Sequence, residues 1–343
     1  MVYRYVPLLR WKRGERTGLK NVSAAGAVDT VPLFIIGSDQ IKGKAATKSK
    51  GAQTAADVFA KEIYDAWGAR PFGLDASALT AAPGTPHPIQ AIAASCNALG
   101  ATLIPATSLT ASLIYQTAVA AVNNADQRGV ILRVDLQELN SAANWFPNWT
   151  IPVGQTDLVA DFADIVGTVA NMTAAVIHSF QHLHNAGQWR TVTTAGTSMP
   201  ENFGGFLAGL HTIPRDEVRL WTALANAGLP YRIDFGDYAT PPIAEPPPAI
   251  AWGYPINVRY TLPQDFLICR GVKTTGFGGV DMEPQLIGHA KSIVAYPQRN
   301  RINCWADDLI DQIAATGQGQ GNLETWVQIA INRHVELVRS LLP

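Results

Sequence analysis

The stretch YRIDFGDY, residues 231–238, decides how this chain is read. Its aromatic and branched residues make a strand that leaves two carboxylates, Asp234 and Asp237, at its end. The best helix signal in the sequence, Arg215 to Ala227, comes just before it, with Pro214 suited to a first-turn position and Gly228 to a stop. A proline-rich passage, PPIAEPPPAI, follows at once.

Short strands ending in polar residues recur at barrel-like intervals upstream. They are expected at Tyr3 to Leu9, Val31 to Ile36, Phe72 to Asp75, Leu103 to Thr107, Val130 to Asp135, Ala174 to Phe180 and Arg190 to Thr194. Helical spacing fills several of the gaps, at Ala55 to Trp67, Ile89 to Leu99, Ala111 to Asn123 and Asp157 to Val169. The Lys42 to Gln53 passage reads as a mobile loop. With the strand at 231–238, the pattern predicts an α/β fold, a (β/α)8 TIM-barrel-like domain over residues 1–240. An open doubly wound sheet fits less well, since no glycine-rich phosphate loop follows the first strand. Residues 241–343 read as a C-terminal extension packed on the barrel. It comprises the linker, a hairpin of Asn257 to Thr261 with Phe266 to Arg270, and closing helices that include Leu323 to Leu342.

Composition narrows the function classes. A chain of 343 residues exceeds an average domain, and a barrel of about 250 residues with insertions absorbs it. The net charge of −1 argues against binding long nucleic acid through global electrostatics. Cys96, Cys269 and Cys304 are far apart and suit buried thiols in a reducing compartment. There is no signal-like apolar segment at the start and no run near the ~20 apolar residues of a membrane span, so a soluble, cytoplasmic protein without a membrane partner is expected.

In a parallel barrel the carboxyl ends of the strands share one mouth. That rule gathers Arg10, Lys12, Asp75, Arg133, Asp135, His178, Thr194, Asp234 and Asp237. Cations there would hold an anion, while carboxylates would serve as acid, base or metal ligand. Ion pairs closing the barrel interior are the structural alternative. Asp75, Asp135 and Asp234 could take a divalent metal such as magnesium, although no HxH, HExxH or paired-carboxylate spacing supports a metal site. His178, His182 and His184 read as ordinary polar histidines. Trp145, Trp149 and Trp252 sit beside prolines and suit a lid or packing under loops.

The segments YVPLLRWKRGE, VPLFII, TTAGTSMPENF, IPRDEVRLW, FGDY, NVRYT, CRG, CWADDLI, GNLETW and INRH together resemble the beta protein family. That family is named for a bacteriophage protein and occurs in bacteria, phages and mobile elements. The resemblance spans nearly the whole chain and implies a barrel-like α/β fold without an activity to carry over. It directs attention to Lys12, Glu15, Asp237, Tyr238, Arg259, Tyr260, Arg270, Gly271, Trp305, Asp307, Asn322, Trp326 and His334. The chain departs from the family pattern at Ile35, where an acid is usual, and at Arg333, which precedes His334 in place of a paired histidine.

Lys12, Arg259 and Arg270 would form an anion clamp if the hairpin folds over the mouth, since arginine offers a planar fork to phosphate. Arg133 and Tyr238 complete the expected ligand-binding set. The expectation is a barrel that binds a small phosphorylated ligand, a nucleotide or a nucleic-acid end. Hydrolysis, as by a phosphodiesterase or nucleotide hydrolase, would use Asp135, Asp234 or Asp237 as base or metal ligand and His334 as acid. Two other classes remain open: a non-catalytic partner of a phage or defence protein, and a metal-dependent lyase or aldolase-like enzyme.

Overall fold

The computed structural model describes residues 4–38, 40–43, 52–243 and 255–343. The centre of the Lys42–Gln53 loop, most of the proline-rich linker, and Trp252 lie outside the described residues. The chain begins with β1 (Tyr5–Arg10), α1 (Arg13–Lys20), α2 (Ala24–Ala27), β2 (Leu33–Ile35) and α3 (Ala55–Trp67). It continues through β3 (Pro71–Asp75), α4 (Pro88–Ala98), β4 (Thr102–Ser108), α5 (Leu113–Asp126) and β5 (Val130–Val134). Two short helices, α6 (Leu136–Asn140) and α7 (Ala142–Trp145), precede β6 (Thr156–Asp164), α8 (Val169–Gln181), β7 (Thr191–Thr197) and β8 (Gly209–Pro214). After α9 (Asp216–Ala225) and β9 (Asp234–Asp237) come the antiparallel strands β10 (Asn257–Thr261) and β11 (Asp265–Arg270). Three helices close the chain: α10 (Met282–Val294), α11 (Trp305–Thr316) and α12 (Leu323–Leu341).

Eight parallel strands close a barrel in the order β1-β2-β3-β4-β5-β6-β7-β9. The (β/α)8 expectation therefore stands, with two elements exchanged in type. Asp157–Val169, expected as a helix, contributes β6, and Ala174–Phe180, expected as a strand, lies inside α8. An i, i+4 repeat such as Asp157/Asp161 suits one face of a helix and equally the inner face of a strand, so periodicity alone misassigns it. In α8 the buried Val176, Ser179 and Phe180 have the 3–4 spacing of a helix packed on its sheet.

Side chains alternate strictly through the barrel wall. Val6, Leu8, Leu33, Ile104, Ala106, Ile131, Val159 and Ala195 fill the middle of the interior. Gly73 faces the same layer, where an added Cβ would come within 2.5 Å of Ile131. Outward-facing Tyr5, Leu9, Phe34, Phe72, Leu74 and Leu103 pack under the surrounding helices.

The extension is stitched into the barrel. β8, which lies before residue 240, leaves the barrel order and pairs with β11, making a three-stranded sheet β10-β11-β8. One face of that sheet (Val258, Tyr260, Leu267, Cys269) packs on α10 and α11. The other carries Phe266 and Ile268 against Met199 and Phe203 from the loop after β7. α12, begun by an Asn322/Thr325 capping box, is buried from Ile329 to Val338. It lies against the β1–β9 wall, where a barrel's last helix belongs, with Ile331, Val335 and Val338 beside Tyr5 and Phe235. Its contact with α1 is close because Gly14 and Gly18 present no side chain. A Cβ on Gly18 would stand 2.8 Å from the Gln328 carbonyl.

Candidate ligand site at the barrel mouth

β1 ends at Arg10, and α1 begins at once, so the turn between them sets Lys12 and Glu15 on the mouth rim. Glu15 is 2 % exposed and its carboxylate accepts the Arg10 backbone N–H at 2.6 Å. Burial raises its pKa to about 7, against the opposing pull of Arg10, Lys12 and Arg259. These three cations therefore gather round one carboxylate. Arg259 projects from β10 with its guanidinium 5.4 Å from the centre of the Phe203 ring, and burial lowers its pKa to about 10. Its Nε is buried without a hydrogen-bond partner. Arg10 donates from Nη2 to the Pro242 carbonyl at 2.8 Å, which brings the chain beyond β9 over the same rim.

Inside the mouth, Arg133 of β5 grips two carboxylates. Nη1 donates to Asp75 at 2.6 Å and Nη2 to Asp161 at 2.7 Å. Asp161 also accepts the Tyr238 hydroxyl at 2.6 Å. Each carboxylate accepts one nearby backbone N–H as well, from Ser77 and Ala163 respectively, which fixes its orientation. Burial alone would lower the Arg133 pKa, but Asp161, Tyr238 and Asp75 hold it above the ordinary value. Arg10, Ile35 and Asp75 are in register across β1, β2 and β3, which sets the two clusters side by side on the rim. Ile35, where the family resemblance expects an acid, is thus a wall of this mouth.

The remaining predicted residues lie elsewhere. Asp135 is exposed and caps α6, accepting the Glu138 N–H at 2.7 Å, so it does not share the interior face with Arg133. Asp234 opens β9 at the opposite, amino-terminal end of the barrel. There it pairs with Arg232 at 2.8 Å and accepts the Arg4 N–H, near Asp157 and Arg190. His178 is exposed on α8, its ring tilted against that of His182, and is not at the mouth. Arg270 is on the Arg259 face of the sheet by register but donates to Asn257 at 3.1 Å.

Asp237 points outward through the barrel wall, into a seam beneath α12. His334 Nε2 lies 2.8 Å from its carboxylate, and His334 Nδ1 lies 3.0 Å from the Thr261 hydroxyl. Tyr5 donates to Asp237 at 2.8 Å and Arg215 at 3.2 Å, with Glu217 and Ser198 completing the set. Burial would raise the Asp237 pKa, yet His334, Arg215 and Tyr5 pull it below the ordinary value. Asp237 and His334 are each at most 1 % exposed, so the trio Thr261–His334–Asp237 has the order of a relay without access to solvent. A second buried node, Arg333 on Asp307 at 3.0 Å with Tyr260 on Asp307 at 2.8 Å, joins α12, α11 and β10.

Asp161, Tyr5, Arg215 and Glu217 were not singled out by the sequence pattern. Asp161 carried a usable signal, its even spacing from Asp157, once that segment is taken as a strand. Among the described residues no group of three or more His, Cys, Asp or Glu side chains could hold a metal ion. No described helix is long and apolar enough to cross a membrane. The family model described as Beta protein matches residues 5–339. No curated protein matches the sequence.

Proposed function

The chain belongs to the beta protein family, and we propose that this member binds a phosphate-bearing ligand, a nucleotide or nucleic-acid end, at its barrel mouth. The buried, unpartnered Nε of Arg259, beside Lys12 and Arg10, carries this reading. A buried donor without an acceptor is costly, and a phosphate oxygen is a strong acceptor for a guanidinium. The raised Glu15 pKa, about 7, keeps part of it protonated near neutral pH, so it offsets less of the Arg259 charge than a full carboxylate would. Arg270, at the end of the central strand β11, lies on the same sheet face. Asp237 and His334, the residues expected to support hydrolysis, are sealed behind the wall, so binding rather than turnover is the core of the proposal.

Titration of the full chain with a panel of nucleoside monophosphates tests it. Arg259→Gln is expected to weaken binding at least tenfold, and Arg270→Ala by less. A folded Arg259→Gln variant with unchanged affinity for every nucleotide would sink the reading. A second reading, a protein-binding module using the barrel as scaffold, draws on Leu207 and Phe277, large apolar residues fully or largely exposed. A stoichiometric protein partner lost on Phe277→Ser and Leu207→Ser would favour it.

A further inference from the structure

The two halves of the mouth differ in what they ask of a ligand. On the rim, Arg10, Lys12 and Arg259 gather round Glu15, and the unpartnered buried Nε of Arg259 gives that side a donor suited to an anion. Within the barrel, Asp75 and Asp161 share one guanidinium, so the described ionised groups there sum to one negative charge. A carboxylate offers about four acceptor positions. Asp75 uses two, for Arg133 and the Ser77 N–H. The Tyr238 hydroxyl has spent its proton on Asp161 and accepts only a long 3.4 Å bond from Arg133, which leaves it room for a stronger donor. Arg133 keeps one spare terminal N–H, on Nη1, since Nη2 donates to Asp161 and, at 3.4 Å, to the Tyr238 hydroxyl.

A phosphate, which only accepts and is anionic, is opposed by the negative balance of this inner wall. An ammonium group is opposed by the neighbouring Arg133. A hydroxyl both donates to the carboxylates and accepts from Arg133, without bringing charge into the site. Arg133 and Tyr238 are the partly exposed members through which a ligand reaches the cluster. The two halves are close enough for one small molecule: Arg10 and Asp75 stand in register two strands apart, about 10 Å between backbones at the usual strand spacing. Both side chains point inward across that gap.

We propose that the ligand is a phosphorylated sugar, seated with its phosphate on the Lys12–Arg259 rim and its ring hydroxyls on Asp75, Asp161 and Tyr238 inside the barrel. This rests on the preceding reading and adds the orientation and the sugar. In a nucleotide, the ribose 5-phosphate portion fills both halves and leaves the base toward the outer loops.

Calorimetric titration of the full chain with inorganic phosphate, ribose 5-phosphate, ribose and O-phosphorylethanolamine separates the possibilities. Ribose 5-phosphate should bind at least tenfold tighter than inorganic phosphate and tighter than the phosphorylated amine. In Asp161→Asn that advantage should vanish, and Tyr238→Phe, which keeps the ring, should lose part of it. Equal affinity of phosphate and ribose 5-phosphate in the parent removes the sugar and leaves the anion reading intact. Preference for the amine, or a sugar advantage undiminished in both variants, overturns it as well. Failure of every phosphorylated ligand to bind removes both proposals together.

Discussion

The barrel mouth and the seam beneath α12 use the same residue types, arginines and carboxylates with a tyrosine, under opposite conditions. In the seam, Asp237 accepts from Tyr5, Arg215 and His334, and each of these groups is sealed from water. Only Arg215 Nη1 lacks a partner among the donors and acceptors that face Asp237. At the mouth, Arg133 and Tyr238 are partly exposed, and Arg259 has a donor to spare. The more suggestive arrangement, a hydroxyl–imidazole–carboxylate series, is therefore in the less accessible place. A largely satisfied network sealed between two layers acts as a fastening, because any ligand would have to break bonds already made. Residue identity alone does not distinguish the two, and neither does a lone unpartnered arginine nitrogen, which both contain; accessibility does.

Breaking the fastening should give the largest effect. Asp237→Ala strips a buried charge partner from Arg215, a loss that costs about 3–5 kcal/mol. Urea unfolding should show this as a lower midpoint, and a near-neutral result would mean that the seam contributes nothing to stability. Next in size is the pH response of Glu15. A buried acid whose folded pKa lies above its unfolded one holds its proton more tightly in the native state, so stability falls as pH rises between the two values. For Glu15 that window runs from about 4.5 to about 7, and the loss is about 3 kcal/mol at 1.36 kcal/mol per pH unit. Glu15→Gln should flatten this part of the stability profile, and an unchanged slope would show that Arg10, Lys12 and Arg259 already stabilise its ionised form. The smallest change is expected at Asp135. Asp135→Ala removes the α6 capping box and should cost about 1 kcal/mol, with ligand affinity unaltered in the same titrations. A clear loss of affinity there would bring the outer loop into the site.

The same contrast explains what the sequence could convey. Alternating strand and helix patterns, with polar residues at strand ends, made the barrel legible, and the post-linker strands read correctly as an antiparallel pair. Convergence of Lys12 with Arg259 was also legible, since both stood beside elements expected at the mouth. The pattern makes Asp234 and Asp237 one strand's terminal pair, but β9 begins at one and ends at the other. They lie at opposite ends of the strand and, three residues apart, leave opposite faces of it. Whether a side chain points inward or outward then depends on a register of one residue, and nothing in the spacing of YRIDFGDY fixes that. His334 could not be placed because its partners, Asp237 and Thr261, are 97 and 73 residues away.

β8 has a consequence for how the molecule can be divided. Its residues precede the last barrel strand, yet they complete a sheet whose other members follow the proline-rich passage. α12, the final element, returns to shield Tyr5 and Phe235 near the beginning of the chain. A cut at the linker would thus yield two fragments with reciprocal deficits: a barrel with an uncovered flank and a cap missing its border strand. Such pieces would find full burial only in each other, so the linker joins interlocked parts rather than independent modules.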